Sequence, residues 1–184
     1  MSADAGEQSS SARVFTIGHS TRPLDDFVAL LRLNQVRLVV DVRTIPRSRR
    51  NPQYNMDVLP ASLGLDGTAY RHMPGLGGLR HGDKNSTINA AWRNASFRGY
   101  ADYMQTDEFE RSLEELTDLA KTNPTAVMCA EAVPWRCHRS LIADAMLVRG
   151  FNVSHIIDSK EVQSHKLTPW ARVEGTRITY PSIV

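Results

Sequence analysis

The fold is decided by the stretch from Val14 to Val42, VFTIGHSTRPLDDFVALLRLNQVRLVVDV. It opens with a short β-rich run that Gly18 ends, and residues 24–33 then carry apolar side chains at helical spacing. Residues 37–42 form a second run that is apolar on both faces. This order predicts a βαβ unit, and a strand apolar on both faces is typical of a parallel sheet that is covered on both sides.

The rest of the chain repeats this pattern. We predict helices over residues 106–121 and 140–148, and strands over residues 125–128 and 151–157. A chain of 184 residues with 41% hydrophobic residues has room for one core of good size. The sequence therefore predicts an α/β protein with a single domain over residues 12–184, in which a mostly parallel sheet carries helices on both faces.

The two ends of the chain have weaker patterns. Residues 1–11 are rich in serine, alanine and acids, and they lack the basic-then-apolar order of a signal peptide, so we expect a disordered tail. Residues 158–184 match no clear element, and we expect only that this C-terminal tail packs across an edge of the sheet.

Charge and cysteine content limit the partners and the compartment. A net charge of +2 is too small to indicate a nucleic-acid partner by itself. No run approaches the roughly 20 apolar residues that cross a membrane, so no membrane partner is expected. Two cysteines outside a secretory context fit a reducing compartment, which predicts a cytoplasmic protein with both thiols reduced.

Chemistry-bearing residues concentrate in residues 128–139, between a predicted strand and a predicted helix. Ligands of parallel sheets bind outside the carboxyl ends of the strands. His19, Asp41 and Arg43 follow two other predicted strands, so we expect them to meet this cluster in one crevice. The glycine-rich loop 72–82 is a further place where backbone can approach a ligand closely, although it lacks the lysine of a P-loop.

Cys137 is the predicted nucleophile or redox group. Pro134 suits the first position of a helix, which places Cys137 in the first turn, where the helix dipole and Arg136 and Arg139 favour the thiolate. The alternative is that Cys137 packs under the helix as a free cysteine usually does. Cys129, at the end of a buried strand, is expected to act as a small apolar residue.

Three further residues complete the predicted catalytic set. His138 lies beside the thiol, and His19 and Glu131 are candidates for moving protons. The alternatives remain open: Glu131 pairs with Arg43 or Arg139 to hold the loops together, and His19 closes a structural turn.

Arginines near the predicted strand ends indicate an anionic substrate that bears a phosphate or nucleotide. We expect Asp41 to temper the positive charge and Tyr54 to offer a stacking face. The alternatives are a solvated basic loop and aromatic side chains that pack in the core. The predicted substrate-binding residues are Arg43, Arg47, Arg98, Arg136, Arg139, Asp41 and Tyr54.

Two functions of other classes compete with this enzyme. The first is a non-catalytic nucleic-acid-binding module that uses the loop from Arg43 to Arg50, with stacking from nearby aromatics. The second is a metal-dependent enzyme or sensor, although Cys-x7-Cys is wider than the usual zinc spacing. We assign no metal ligands and name no cofactor. The candidate ligands for the metal alternative are Cys129, Cys137, His138, His19 and, in reserve, His72.

Several motifs in order resemble the family called domain of unknown function 488. The resemblance covers residues 14 to about 157 and implies a compact bacterial or archaeal α/β domain with a polar cluster, but it brings no established reaction. The motifs that carry it are Ile17-Gly18-His19-Ser20, Asp41-Val42-Arg43 with Pro46 and Ser48, Tyr70 with Pro74 and Leu76-Gly77-Gly78, Phe97-Arg98-Gly99-Tyr100-Ala101, and Cys129-Ala130-Glu131 with Cys137-His138-Arg139.

Overall fold

The computed structural model describes residues 12–83 and 86–182, in which one sheet of six strands and one hairpin of two strands form. The predicted disordered tail, residues 1–11, lies outside the described residues. The strands are β1 (Arg13–Gly18), β2 (Leu38–Asp41), β3 (Ala69–His72), β4 (Thr125–Cys129), β5 (Asn152–Ile156), β6 (Val162–Ser164), β7 (Arg172–Glu174) and β8 (Arg177–Thr179).

In the described part of the chain five α-helices connect the strands, and two of them begin at side-chain caps. Asn94 accepts hydrogen bonds from backbone N–H groups in the first turn of its helix, and Thr106 does the same one helix later. No helix in the described part of the chain is both long and apolar enough to cross a bilayer. The helices are α1 (Leu24–Leu33), α2 (Leu59–Leu65), α3 (Ala95–Tyr103), α4 (Asp107–Thr122) and α5 (Arg139–Leu147).

The main sheet has the order β3-β2-β4-β1-β5-β6, and β6 alone among these strands runs antiparallel to its neighbour. The predicted α/β fold with a mostly parallel sheet is therefore confirmed. Strand β4 lies between β1 and β2, with Gly18 in register with Cys129 and Asp41 in register with Met128. The three strands that carry the predicted site thus end side by side.

Helices cover both faces of the sheet, as predicted. Alternate residues of β4 belong to two separate cores: Ala126 and Met128 pack with residues of α1 and α2, whereas Val127 and Cys129 pack with residues of α3, α4 and α5. The side chain of Cys129 therefore lies on the α3–α5 side of the sheet.

The segment after β4 differs from the prediction. Residues Pro134–Arg136 form a separate 3-10 turn and α5 begins only at Arg139, so the prediction that Pro134 starts this helix and that Cys137 lies in its first turn is wrong. Cys137 is extended, with φ −136° and ψ 145°, and an extended residue cannot continue a helix. This break brings its side chain back over the end of β4.

The C-terminal tail, which the sequence left unplaced, packs on the edge of the sheet and on α5. Strand β6 adds to β5, and β7 pairs with β8 as a separate hairpin. The hydroxyl of Tyr180 and Nε2 of His165 both donate hydrogen bonds to the buried carboxylate of Asp144 in α5. A buried carboxylate needs such donors, so these residues of the tail stabilise the packing of α5.

Candidate active site at the strand ends

Two reduced cysteines in direct contact form the centre of the site. The Sγ atoms of Cys129 and Cys137 are 2.7 Å apart, and both residues are free thiols that are 4% exposed. A covalent disulfide measures about 2.05 Å, so the sulfurs need only a small movement to bond. Cys129 is buried, as expected for an apolar residue, but its sulfur is also part of the site.

The surroundings shift the pKa values of the two thiols in opposite directions. Burial disfavours the thiolate of Cys137, but the hydrogen bond from Cys129 and the positive charge of Arg139 outweigh it and lower the pKa of Cys137. The backbone N–H of Arg139 also points to the Cys137 sulfur, at 3.5 Å. The hydrogen bond to Cys137, together with burial, raises the pKa of Cys129. Cys137 is therefore the thiol of the pair that ionises more readily.

His138 lies beside the sulfur of Cys137 as a neutral base. Burial lowers the pKa of this imidazole. Its Nε2 lies 3.2 Å from the carbonyl of Val42, which can only accept, so Nε2 carries the proton. This leaves the Nδ1 lone pair 3.6 Å from the Sγ of Cys137. The arrangement matches the thiol and base pair of cysteine enzymes.

The glycine-rich loop packs closely against this histidine. A Cβ atom at Gly78 would lie 2.4 Å from Nδ1 of His138, so a side chain there would displace the ring. The sequence indicates a close backbone approach in this loop, but not that His138 is the group approached.

A cavity of about 440 Å³ opens over the thiol pair. Its volume lies in the usual range for small-molecule sites, about 300–1,000 Å³. It brings together five of the predicted site residues, Arg43, Glu131, Arg136, Cys137 and His138, with Glu131 and Arg136 exposed. We call this cavity the thiol cleft. Its lining residues are Arg43, Thr44, Ile45, Gly78, Leu79, Ser96, Phe97, Cys129, Ala130, Glu131, Arg136, Cys137 and His138.

Arg43 and Asp41 form a buried ion pair at the edge of the thiol cleft. Arg43 is 8% exposed and donates to both carboxylate oxygens of Asp41, with the shortest contact at 2.6 Å. It also donates to the carbonyl of Tyr54 at 2.7 Å, while Asp41 accepts from the hydroxyl of Tyr70 at 2.7 Å. Both side chains thus form their hydrogen bonds with other groups of the protein, and a direct contact with substrate stays a prediction.

His19 is engaged in the same network. Its Nδ1 donates to the carbonyl of Ser20 at 2.8 Å, and its Nε2 lies 3.2 Å from the Arg43 guanidinium, which donates. Burial lowers the pKa of His19 to about 4, so the ring is neutral at pH 7. The buried ring of Tyr54 stacks on it at 4.1 Å. These contacts agree with the turn-closing alternative for His19 and leave no face of Tyr54 open to a base.

The remaining predicted arginines occupy different places. Arg136 is exposed on the wall of the thiol cleft. Arg139 is 1% exposed and donates to the backbone carbonyl of Glu131 at 2.6 Å, not to its carboxylate. Arg47 lies with His19 in an adjoining cavity of about 410 Å³ that shares Glu131 with the cleft. Arg98 donates to the carbonyl of Ser86 and lines another cavity.

Most arginines of the basic loop are exposed, whereas the aromatic rings near the site pack against other rings. Arg47, Arg49 and Arg50 are exposed, whereas Arg43 is buried. The rings of Trp92 and Phe97 stack on each other with centroids 4.9 Å apart. The nucleic-acid alternative therefore keeps three exposed arginines and the partly exposed ring of Phe97, and it stays a prediction.

One group of side chains has the size of a metal site. The Sγ atoms of Cys129 and Cys137 and a ring nitrogen of His138 all lie within 4.8 Å of one another. His72, the reserve ligand, instead directs Nε2 to the carbonyl of Arg43 at 2.8 Å. Two thiolates and an imidazole could hold zinc and leave a fourth position open to the cleft.

Comparison with known proteins gives the family and no closer relative. No curated protein and no solved structure matches the chain. The model of the family described as Domain of unknown function DUF488 matches residues 23–146 of the 184, which is more than half of the chain. The resemblance seen in the motifs is thereby confirmed, and the protein belongs to the DUF488 family.

Proposed function

We propose that this protein is a thiol-dependent oxidoreductase in which Cys137 is the nucleophile and Cys129 is the resolving thiol. The observation that carries the proposal is the 2.7 Å separation of the two reduced sulfurs beneath the thiol cleft. A hydrolase or transferase needs one nucleophilic thiol, so a second thiol in contact with the first favours redox chemistry. A low-pKa thiol beside a protonated one is typical of redox dithiols.

The proposed reaction reduces a disulfide. The Cys137 thiolate attacks one sulfur of the substrate, which forms a mixed disulfide and releases the other sulfur as a thiolate. Cys129 then loses its proton, with Nδ1 of His138 as the nearby acceptor, and attacks Cys137 to release the second substrate thiolate. The two leaving thiolates take up two protons, the substrate gains two electrons, and the protein becomes a Cys129–Cys137 disulfide that a thiol reductant restores.

Exposed charge on the cleft favours an anionic substrate. Arg136 contributes a guanidinium to the wall, and the thiolate lies near the N-terminal N–H groups of α5. A phosphate or nucleotide on the substrate, as the sequence predicts, fits this charge. Glu131 lies on the same wall and would disfavour substrates with acidic groups on that side.

Reaction with the anionic disulfide dithiobis-nitrobenzoate tests the proposal. The reduced wild-type protein is expected to release two thionitrobenzoate groups and end as an internal disulfide, because Cys129 lies in contact with Cys137. Cys129→Ser should release one and keep the mixed disulfide on residue 137. Cys137→Ser should react much more slowly, since Cys129 stays buried in this variant and burial alone still raises its pKa and limits access. Absorbance measures the thionitrobenzoate that is released, and intact mass spectrometry shows which disulfide remains on the protein. A wild-type protein that stops at the mixed disulfide would contradict the role of Cys129.

The rate of alkylation should reveal the thiolate directly. Iodoacetamide reacts with thiolates, so the rate at Cys137 should rise with pH to a plateau whose midpoint lies below the ordinary thiol value of about 8.5. The hydrogen bond from Cys129 and the charge of Arg139 are the cause. Peptide mass spectrometry after timed labelling measures each cysteine separately, and Cys129 in the same sample is the slow internal control. A midpoint at or above 8.5 would count against Cys137 as the nucleophile.

A metal centre is the second candidate function, favoured by the three clustered ligand atoms. The Val42 carbonyl accepts a hydrogen bond from Nε2 of His138. Metal-bound histidines usually donate such a bond from the ring nitrogen that does not bind the metal. However, two sulfurs on a tetrahedral zinc ion lie about 3.7 Å apart, so binding would have to separate the present pair by about 1 Å. For this reason we place it second.

Elemental analysis separates the two functions. If the protein is a zinc enzyme or sensor, material purified without chelator should hold about one zinc per chain, and Cys129→Ser should lose most of it. Its thiols should then react with dithiobis-nitrobenzoate only after a chelator is added. Protein without stoichiometric zinc and with reactive thiols would exclude this candidate and leave the redox proposal in place.

A further inference from the structure

A further cavity is lined by residues of the segment 134–140 and shares no lining residue with the thiol cleft. Its volume is about 290 Å³, and all three tryptophans of the chain, Trp92, Trp135 and Trp170, line it. Trp135 is 60% exposed and Trp170 is 36% exposed, which is unusual for side chains of this size. The neighbouring residues Trp135 and Arg136 thus face different cavities, the aromatic one and the thiol cleft.

Two histidines close one side of this cavity without offering a free nitrogen. Asp144 accepts from Nε2 of His165 at 2.8 Å, and the other nitrogen of His165 lies 2.9 Å from Nε2 of His155. This series of hydrogen bonds ends at Thr16, whose hydroxyl lies 2.7 Å from Nδ1 of His155. Burial lowers the pKa of His155 to about 4, so this ring is neutral at pH 7. This side of the cavity therefore presents ring surfaces to a ligand.

The same network fixes the cavity wall in place. Asp144 also accepts from the backbone N–H of Thr168 at 3.0 Å and from the hydroxyl of Tyr180 at 2.9 Å. Trp92 packs edge to face against Trp170, with ring centroids 5.3 Å apart. A wall held by buried hydrogen bonds binds a ligand with little ordering cost.

The charge of the cavity decides which aromatic ligands it favours. Lys166 lines the cavity, and the described lining residues include no carboxylate. Indole faces bind flat rings well, and an ammonium group attracts an anion and disfavours a cation. We propose that this cavity is a binding site for a small planar aromatic molecule that carries an anionic group. The proposal is independent of the thiol chemistry.

Intrinsic fluorescence tests it directly, since every tryptophan of the chain lines the cavity. We expect para-nitrobenzoate, a flat anion whose nitro group quenches indoles, to quench the wild-type protein along a saturable curve. The neutral analogue para-nitrobenzamide should bind about fivefold more weakly, because it lacks the charge that Lys166 attracts. Quenching that rises linearly without saturation would overturn the proposal.

Calorimetric titration of variants with para-nitrobenzoate shows which cavity binds it. Trp135→Ala should weaken binding about tenfold and Lys166→Gln about fivefold. Because the Lys166 charge would be gone, Lys166→Gln should also lose the preference for the anion over the amide. Leu79→Ala, on the thiol cleft, is the matched control and should bind like the wild type. If Leu79→Ala weakened binding and Trp135→Ala did not, the anion would be in the thiol cleft and the proposal would be wrong.

Discussion

Replacing Gly18 with alanine is expected to destabilise the protein by at least about 3 kcal/mol, near the upper end of single substitutions. The added methyl group would lie 1.8 Å from the carbonyl oxygen of Glu131 and 2.9 Å from that of Ala132. Both contacts are with backbone, so no side-chain rotation can relieve them. Urea unfolding followed by circular dichroism measures the loss, which we expect to appear as a lower midpoint or as an unfolded protein.

Gly64→Ala is the matched control for this substitution. Gly64 lies in α2, and a Cβ atom there would meet nothing within 4 Å. Alanine is the better residue within a helix, so this variant should be neutral or more stable by about 0.5–1 kcal/mol. A Gly18→Ala protein as stable as Gly64→Ala would show that the loop at Glu131 is not packed against β1 as described.

Arg43→Met is expected to cost about 3–5 kcal/mol of folding free energy, because it leaves the charge of Asp41 buried without its partner. Asp41 is 0% exposed and receives most of its hydrogen bonds from this guanidinium. The same substitution removes the donor to Nε2 of His19. Urea unfolding at pH 7 gives the difference from the wild type.

Two further variants control for other effects of losing this arginine. Arg47→Met removes an exposed arginine from the same loop and should change stability by no more than about 0.5 kcal/mol. The double variant Asp41→Leu with Arg43→Met removes both charges and should recover part of the loss, as replaced buried ion pairs do. Equal losses for Arg43→Met and Arg47→Met would contradict the buried pair.

The local parts of the fold could be predicted and the long-range parts could not. Helix α1 has the predicted bounds, since its apolar spacing and the stop at Asn34 are both encoded within a few turns. The position of β4 between β1 and β2 depends on pairing between residues more than 80 positions apart, such as Leu38 and Thr125. No local pattern carries that information. The C-terminal strands lack a sequence signal for a different reason. Each has only three residues, too few to show an alternating pattern, although their partners lie close in the chain.

The candidate site divides in a similar way. The meeting of His19, Asp41 and the cysteine segment at one edge follows from strand ends, and the structure places them there. The contact between the sulfurs follows from the extended backbone of Cys137 after a 3-10 turn, which the proline pattern did not distinguish from a helix start. The hydrogen bonds from Arg43 to Asp41 and His19 depend on long-range packing. The sequence therefore shows how many arginines lie near the strand ends, but not which of them are already paired within the protein.

The limits of the family match have a practical meaning for anyone who shortens this chain. The match begins at residue 23 and ends at residue 146, so β1 and β5 both lie outside it. A fragment cut at those limits would lose the strand at the middle of the sheet and expose the edge of β4, a template for aggregation. It would also strip Asp144 of the donors His165 and Tyr180. The sheet therefore extends beyond the segment that the family model matches.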